Sequence, residues 1–292
     1  MVRPSLLLAL GALALATAAC APASDTAAQP GASAPAGSPA ADACAKGGLA
    51  LKTSGKLTIG TDKPAYEPWF AEDDPANGQG FESAVAYAVA DRLGFAKDEV
   101  VWETVPFDAA FAPGAKKFDF DINQISITPD RAKAVDFSKG YYTVKQAVVA
   151  IKGSAFASAS DLASLKEARI GVQVGTTSLQ AVQDAIRPTS DPKVYNVQVD
   201  AVNALKNKQV DAIVVDLPTA FYVTAAQVED SVIVGQFDAA GATPEQFGLV
   251  FEKGSALVPC VNAAIDELTA SGKLAEIENN WLGSAAGARE LP

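Results

Sequence analysis

The stretch NQISITPDRAKAVDFS, residues 123–138, decides the fold because it joins a strand to a helix within a few residues. It begins inside an apolar run at residues 118–125 that reads as a strand. Thr128, Pro129 and Asp130 then form a helix start, with a capping hydroxyl, a proline in the first turn and an acidic residue at the positive end of the helix dipole. A strand that leads into a helix is the building unit of an α/β protein.

The alternation of strands and helices continues on both sides of this stretch, and it restarts after Gly153. Two rounds of about five strands each predict two α/β lobes with parallel sheets rather than one large sheet. The predicted strands are residues 56–60, 100–105, 118–125, 147–151, 169–174, 194–197, 211–215, 232–236 and 248–252, and the predicted helices are 81–93, 179–186, 200–207, 216–226, 256–270 and 274–282.

Residues 1–20 predict an export signal, because Arg3 precedes a short apolar run and small residues then lead into Cys20. A cysteine at this point predicts a bacterial lipoprotein that is anchored through Cys20 to the outer face of the cell membrane. Thr17 departs from the usual aliphatic residue, so ordinary signal cleavage is the alternative. Residues 21–43 lack aromatic and branched aliphatic residues and predict a disordered tether with a reach of roughly 25 Å.

Two cysteines remain, Cys44 and Cys260, and in an exported protein they have one possible pairing. Because Cys260 lies on an apolar helical stripe, a buried free thiol is the alternative. The disulfide would return the last helices to the first lobe and require two crossings between lobes, near residues 145–152 and 246–252. We therefore expect lobe 1 to comprise residues 44–148 and 246–286 and lobe 2 residues 149–245, followed by a tail at 287–292, with a hinge and a cleft between the lobes.

The charge balance argues against nucleic acid as a partner. The chain has 23 basic and 34 acidic residues and a net charge of −11, and removal of Arg3 with the signal leaves 22 against 34, or −12. Nucleic-acid binding needs Lys and Arg to neutralise phosphates. No later stretch reaches about 18 consecutive apolar residues, so we expect no further membrane span. We expect no bound metal or cofactor. We also expect the protein to be a monomer.

Four polar stretches follow predicted strands, where open parallel sheets bind their ligands. They are residues 62–66, 123–131, 175–178 and Asp216. Arg131 is the most informative residue, because a guanidinium in the first turn of a helix opposes the dipole and requires an anion. A ligand carboxylate would accept two parallel hydrogen bonds from it, and a salt bridge to Asp130 or Asp136 is the alternative.

The other candidates each have a structural interpretation as well. The turn at residues 175–178 precedes a helix, as an anion-binding turn does, but many helices begin with such a turn. The turn also lacks the lysine of a nucleotide-binding loop. Asp216 either caps the next helix or binds a ligand ammonium. Tyr66 and Phe107 are either core residues or two aromatic faces that sandwich a ligand side chain.

Several segments resemble the family 3 solute-binding proteins, the polar amino-acid receptors of ABC importers. They are TIGTDKPAYEPWF, GFESAVAYAVADRLG, ISITPDRAKAVDFSKGYY, IGVQVGTTS, LKNKQVDAIVVD and LAEIENNWLG, in that order over about residues 56–284. The resemblance implies a periplasmic-binding-protein-like α/β fold, in which two lobes joined by two β crossings close on an amino acid. It also implies a non-enzymatic protein that delivers its ligand to permease subunits outside the cell membrane, in the periplasm where an outer membrane is present.

The resemblance assigns residues to the α-carboxylate and to the α-ammonium of the ligand. Arg131 would bind the α-carboxylate together with backbone groups at Ser126 and at Thr177, in the turn that also contains Thr176. Asp216 would bind the α-ammonium.

The side-chain pocket departs more from the family pattern. Tyr66 and Phe107 would flank the ligand side chain, Asp62 would reach its far end, and the Gln124 region would assist at the ammonium. The loop at residues 62–66 is one residue longer than usual, Glu82 replaces a usual aspartate, and residues 123–124 replace smaller ones. Because Asp62 repels an acidic side chain unless Lys63 offsets it, we expect a neutral polar or basic amino acid.

Two other functions fit the same sequence. A receptor that signals without transport would share every site residue. Dehydratases of prephenate-like acids share the fold, but such chemistry needs a carboxyl group tuned for proton transfer near a leaving group, and Asp216 favours an amino-acid ligand.

Overall fold

The computed structural model describes residues 44–239, 243–283 and 287–292. The predicted signal, the lipidation site Cys20 and the tether at residues 21–43 lie outside these ranges. Among the described residues no helix has both the length and the hydropathy needed to cross a membrane.

In the part of the chain that the structure describes, ten strands form two five-stranded sheets. The strands are β1 (Leu57–Thr61), β2 (Val100–Thr104), β3 (Phe120–Asp121), β4 (Val135–Val144), β5 (Gln146–Ile151), β6 (Ile170–Gln173), β7 (Lys193–Tyr195), β8 (Ala212–Asp216), β9 (Ser231–Phe237) and β10 (Glu245–Glu252). The first sheet, which defines lobe 1, has the order β2-β1-β3-β10-β4, and the second, which defines lobe 2, has the order β7-β6-β8-β5-β9.

Helices cover these sheets as expected for an α/β protein. Apolar residues at helical spacing form the longest helices, and Thr176 caps one short helix by accepting a hydrogen bond from the N–H of Leu179. The helices are α1 (Phe81–Arg92), α2 (Phe107–Ala110), α3 (Arg131–Ala134), α4 (Thr177–Ala181), α5 (Gln198–Lys206), α6 (Leu217–Tyr222), α7 (Val258–Ala270) and α8 (Lys273–Leu282). Helices α4 and α6 each continue into five residues of π-helix.

The α/β fold is confirmed, but the prediction of parallel sheets is wrong for the strands next to the crossings. β10 runs antiparallel to β3 and β4, and β5 runs antiparallel to β8 and β9. The chain leaves lobe 1 between β4 and β5 through Lys145 alone, and it returns between β9 and β10. Lys145 joins β4 to β5 without a helix between them, and parallel pairing within one sheet needs a longer crossover connection. β4 itself was not predicted as a strand.

The two cores differ in composition. In lobe 1 aromatic residues pack between the sheet and helices α1, α7 and α8, and these include Trp69, Phe70, Phe81, Phe247 and Phe251. In lobe 2 two clusters, composed mainly of alanine, valine, leucine and isoleucine, cover opposite faces of the sheet.

The predicted disulfide is confirmed. Cys44 and Cys260 are bonded, with their Cα atoms 5.3 Å apart. Because Cys260 lies on α7, the bond ties the start of the described chain to the helical layer of lobe 1.

The last six residues pack against lobe 2 rather than extending freely. The N–H of Gln236 donates to the carbonyl of Arg289 at 2.7 Å, and the N–H of Leu291 donates back to the carbonyl of Gln236 at 2.8 Å. The side chain of Leu291 is 3% exposed within the lobe 2 core, and Glu290 pairs with Lys145 at 3.0 Å. Since α8 belongs to lobe 1, the chain reaches lobe 2 again through this tail.

Candidate functional site

A cavity of about 40 Å³ lies between the two sheets and is lined by residues of both lobes. This volume has room for a few water molecules, so admission of a larger ligand requires the lobes or the lining side chains to move. The lining residues are Asp62, Tyr66, Phe107, Asn123 and Gln124 from lobe 1 and Gln173, Thr176, Thr177, Ser178, Gln198 and Asp216 from lobe 2.

Asp62 follows β1 and brings a carboxylate to the lobe 1 wall of the cavity. It accepts hydrogen bonds from the N–H groups of Lys63 at 2.7 Å and Phe107 at 3.2 Å. Burial raises the pKa of Asp62, and these two hydrogen bonds oppose the shift. The ammonium of Lys63 pairs instead with Asp73 at 3.3 Å, so it is directed away from the carboxylate that it was expected to offset.

The side-chain N–H₂ of Asn123 is a buried polar group of the cavity wall that has no hydrogen-bond partner among the described residues. The buried hydroxyl of Tyr66 makes no well-formed hydrogen bond there either, although the backbone of Val199 in lobe 2 acts on it and opposes the rise in its pKa that burial causes. A buried polar group without a partner costs free energy, and such groups in a binding site are available to a ligand. These two lining residues therefore give the lobe 1 wall both a hydroxyl and an amide donor.

Gln124 is fixed at the cavity wall by a buried carboxylate beneath it. Glu82 accepts from the backbone N–H of Gln124 at 2.7 Å, and also from the Gln124 side chain and the Tyr141 hydroxyl. Gln124 has a φ of 50°, in the left-handed region. Burial raises the pKa of Glu82 to about 7, although all three hydrogen bonds oppose the shift.

Arg131 begins α3, is buried, and spans the gap between the lobes. Its guanidinium donates to the carbonyl of Ser126 at 2.8 Å and to the carbonyl of Gly175, in lobe 2, at 2.9 Å. It also lies over the ring of Phe111, with its central carbon 4.4 Å from the centroid. A guanidinium carries five N–H groups, so these two carbonyls leave three for a ligand.

The electrostatic surroundings keep Arg131 charged. Burial lowers the pKa of Arg131 to about 10, while Glu245 and Asp216 oppose that shift. The alternative salt bridges to Asp130 and Asp136 do not form, because those carboxylates pair with Lys133 at 2.6 Å and with Lys253 at 2.8 Å. Arg131 is therefore a cation held at the interlobe boundary, although it is not among the residues that line the cavity.

Ser126 and Thr177 bring the two lobes together beside Arg131. Their hydroxyl oxygens are 3.2 Å apart across the boundary, and Ser126 also donates to Glu245 at 2.5 Å. Ser126 is buried and, like Arg131, does not line the cavity, whereas Thr176 and Thr177 do. Thr128 accepts from the N–H of Arg131 at 3.2 Å and so has the capping role that its sequence position indicates.

Asp216 ends β8 and faces the cavity from lobe 2. Its side chain makes no capping hydrogen bond to α6, so the capping alternative is wrong. It accepts from the side-chain amide of Gln146 at 2.9 Å. Burial and then Glu245 raise the pKa of Asp216, and the Gln146 hydrogen bond opposes them.

Phe107 lies at the start of α2 and lines the cavity next to Asp62. Its ring packs edge-on against Phe111, with centroids 5.3 Å apart, and the Arg131 guanidinium lies 5.7 Å from its centroid. Phe107 therefore contributes to the wall and also supports the cation, while Tyr66 lines the same lobe 1 wall.

Sequence reasoning missed five residues of this region. Gln173 ends β6, so the strand-end rule could have identified it, whereas Gln198 at the start of α5 gave no signal. Ser178 and Asn123 lie in the predicted stretches 175–178 and 123–131, but the sequence assigns neither residue a role of its own. Gln146 begins a strand, where the rule predicts no site residue.

The fold and this cavity define a two-lobed protein that holds a small polar ligand between its lobes. Residues 57–284 match the bacterial extracellular solute-binding proteins, family 3. The chain therefore belongs to that family.

Individual relatives agree with this assignment. The L-arginine-binding protein of Pseudomonas aeruginosa is 30% identical over 249 residues, which cover 80% of this chain and 94% of that protein. An L-cystine-binding protein of Escherichia coli is 25% identical over 236 residues, which cover 80% of this chain and 85% of that protein. A solved structure of an ancestral arginine-binding protein bound to glutamine has a TM-score of 0.66 and 32% identity, covering 79% of this chain and 99% of that one.

Proposed function

We propose that the chain is the substrate-binding protein of an ABC importer and captures an amino acid with a basic or neutral polar side chain. The observation that carries the proposal is the interlobe cavity, which has a carboxylate on each wall and the Arg131 cation beside it. Asp62 and Asp216 are the two carboxylates, and they favour a ligand with more than one positive group. A relative named for arginine supports this ligand class.

The ligand would bridge the lobes by its two ends. Arg131 and the Thr177 turn bind the α-carboxylate, Asp216 binds the α-ammonium, and Asp62 with Tyr66 and its lobe 1 neighbours binds the side chain. Because both sets of contacts exist only when the lobes are closed, ligand shifts the population toward the closed form. The protein acts as a binding protein rather than an enzyme, delivers the ligand to permease subunits and is held at the membrane by a lipid on Cys20.

Titration calorimetry with the twenty amino acids tests the proposal. We expect arginine, lysine or glutamine to bind with a micromolar or lower dissociation constant. This corresponds to a favourable binding free energy of at least about 8 kcal/mol. Glutamate and aspartate should not bind, because each would bring a carboxylate to Asp62. Tight binding of an acidic amino acid alone would contradict the proposed side-chain pocket, and binding of none of the twenty would contradict the proposed function.

A further inference from the structure

Gln146 is the first residue of β5, at the point where the chain enters lobe 2, and its side chain is fully buried. Its amide nitrogen donates to Asp216 Oδ1 at 2.9 Å and to Glu245 Oε2 at 3.0 Å. Its amide oxygen accepts from the hydroxyl of Ser178 at 2.6 Å. Because both N–H groups hold carboxylates and the oxygen holds a hydroxyl, the orientation of this amide is fixed.

Glu245 continues the same network into lobe 1. It begins β10, at the other crossing between the lobes, and its second oxygen accepts from Ser126 Oγ at 2.5 Å. That hydroxyl lies 3.2 Å from Thr177 Oγ1 in lobe 2. An unbroken series of contacts thus runs from Asp216 through Gln146 and Glu245 to the Ser126–Thr177 boundary.

The network solves an electrostatic difficulty of the site. Asp216 and Glu245 are two carboxylates close enough to repel each other, and Arg131 is the cation that interacts with both. A shared amide that donates one N–H to each carboxylate stabilises both charges without a second cation. The amide therefore opposes the rise in the pKa of Asp216 that burial and Glu245 cause, and it fixes the orientation of this carboxyl group for an incoming ammonium.

We propose that Gln146 and Glu245 are positioning residues of the ligand site, which hold Asp216 for the α-ammonium and couple it to the boundary where the α-carboxylate binds. The inference rests on the proposed function. Neither residue lines the cavity, so both act through the residues that do.

The binding test uses Gln146→Leu in the full chain with two probes. These are L-arginine and 5-guanidinopentanoate, which is the same molecule without the α-ammonium. We expect the substitution to weaken L-arginine binding roughly 10- to 100-fold, the range for a lost hydrogen bond to a charged group. Binding of 5-guanidinopentanoate should change far less. In an Asp216→Asn background the same substitution should have little further effect.

Gln180→Leu is the matched control, because Gln180 donates to Asp184 at 2.6 Å on the exposed face of lobe 2. It should leave both affinities unchanged. Equal weakening of both probes by Gln146→Leu would show a merely structural role and overturn the proposal, as would unchanged L-arginine affinity.

A ligand-free measurement separates this inference from the proposed function. Carboxyl-carbon NMR can follow the titration of Asp216, assigned by its loss in Asp216→Asn, in the wild-type protein and in Gln146→Leu. We expect the Asp216 titration to shift to higher pH in the variant, because one donor to the charged form is lost. An unshifted titration overturns the positioning role even if the protein binds L-arginine. A shifted titration in a protein that binds neither probe supports the network and contradicts the ligand assignment.

Discussion

The two lobes share one plan of sheet and helices but are stabilised by different means. Lobe 1 combines an aromatic core with the Cys44–Cys260 disulfide, and it encloses the buried carboxyl groups of Glu82 and Asp121. Lobe 2 has a largely aliphatic core, and one edge of its sheet is covered by the C-terminal tail through Leu291.

The two lobes also differ in the charged groups that they contribute to the site. Lobe 1 carries Asp62 and the Arg131 cation, whereas lobe 2 contributes Asp216 with hydroxyl and amide groups. Both lobes therefore contribute charged groups to the site, and the proposed binding mode needs contacts from each. The following predictions test the contribution of each lobe, in order of decreasing effect.

The largest effect is expected for Arg131→Ala, which removes the cation that reaches from lobe 1 to Gly175 of lobe 2. Loss of one partner of a buried charge pair costs 2–5 kcal/mol or more, so L-arginine affinity measured by calorimetry should fall at least about 100-fold. The melting temperature should fall as well, because two backbone carbonyls lose their donor. Arg169→Ala, at the exposed pair with Asp211, is the control and should bind normally. Unchanged affinity in Arg131→Ala would contradict a role of Arg131 in ligand binding and would show that its role is structural.

Removal of the disulfide should destabilise lobe 1. Cys44 and Cys260 are 216 residues apart in the sequence, and loss of a native disulfide costs about 2–5 kcal/mol. Urea unfolding of Cys44→Ser/Cys260→Ser, followed by tryptophan fluorescence, should show this loss, since Trp69 lies in the lobe 1 core. An unchanged urea midpoint would show that the aromatic core alone determines the stability of lobe 1.

Leu291→Ala should weaken the attachment of the tail to lobe 2. Leu291 is 3% exposed, and truncation of a buried leucine costs at least about 2 kcal/mol when the neighbouring atoms cannot close the cavity. Hydrogen exchange at the N–H groups of Gln236 and Leu291 should accelerate in the variant, because these groups lose their acceptors, the carbonyls of Arg289 and Gln236. Leu274→Ala, on helix α8 of lobe 1, is the control and should leave these two amides protected. Equal protection in wild type and Leu291→Ala would contradict a stabilising role for the tail.

Glu82 should make the stability of lobe 1 depend on pH. Its pKa in the folded protein is about 7, above the ordinary 4.5, so the folded form binds the extra proton between these values. The contribution of Glu82 to the free energy of unfolding is therefore greatest at low pH, and it is lost as the pH rises through 7. Urea unfolding from pH 5 to pH 8 should show a smaller fall in the free energy of unfolding for Glu82→Gln than for wild type, by about 2–3 kcal/mol. Glu276→Gln, at an exposed pair with Lys273, should follow the wild-type curve. A Glu82→Gln curve parallel to wild type would contradict the prediction.

The sequence was sufficient for the α/β class and the disulfide, because these follow from periodic apolar residues and from cysteine number. It also selected Asp216 as a candidate because this residue follows a strand, and Asp216 does line the cavity. Other features depend on tertiary contacts. These are the antiparallel pairing of β5 and β10, the docking of the tail through Leu291 and the contact of Gln146 with Glu245. No local pattern predicts such contacts.

A crystal structure of the protein with bound L-arginine tests the central account most directly. The account predicts one arginine molecule between the lobes, with its carboxylate on Arg131 and Thr177, its α-ammonium on Asp216 and its guanidinium toward Asp62. An arginine in the reverse orientation, or one bound elsewhere while the interlobe cavity retains its present side-chain contacts, would contradict it.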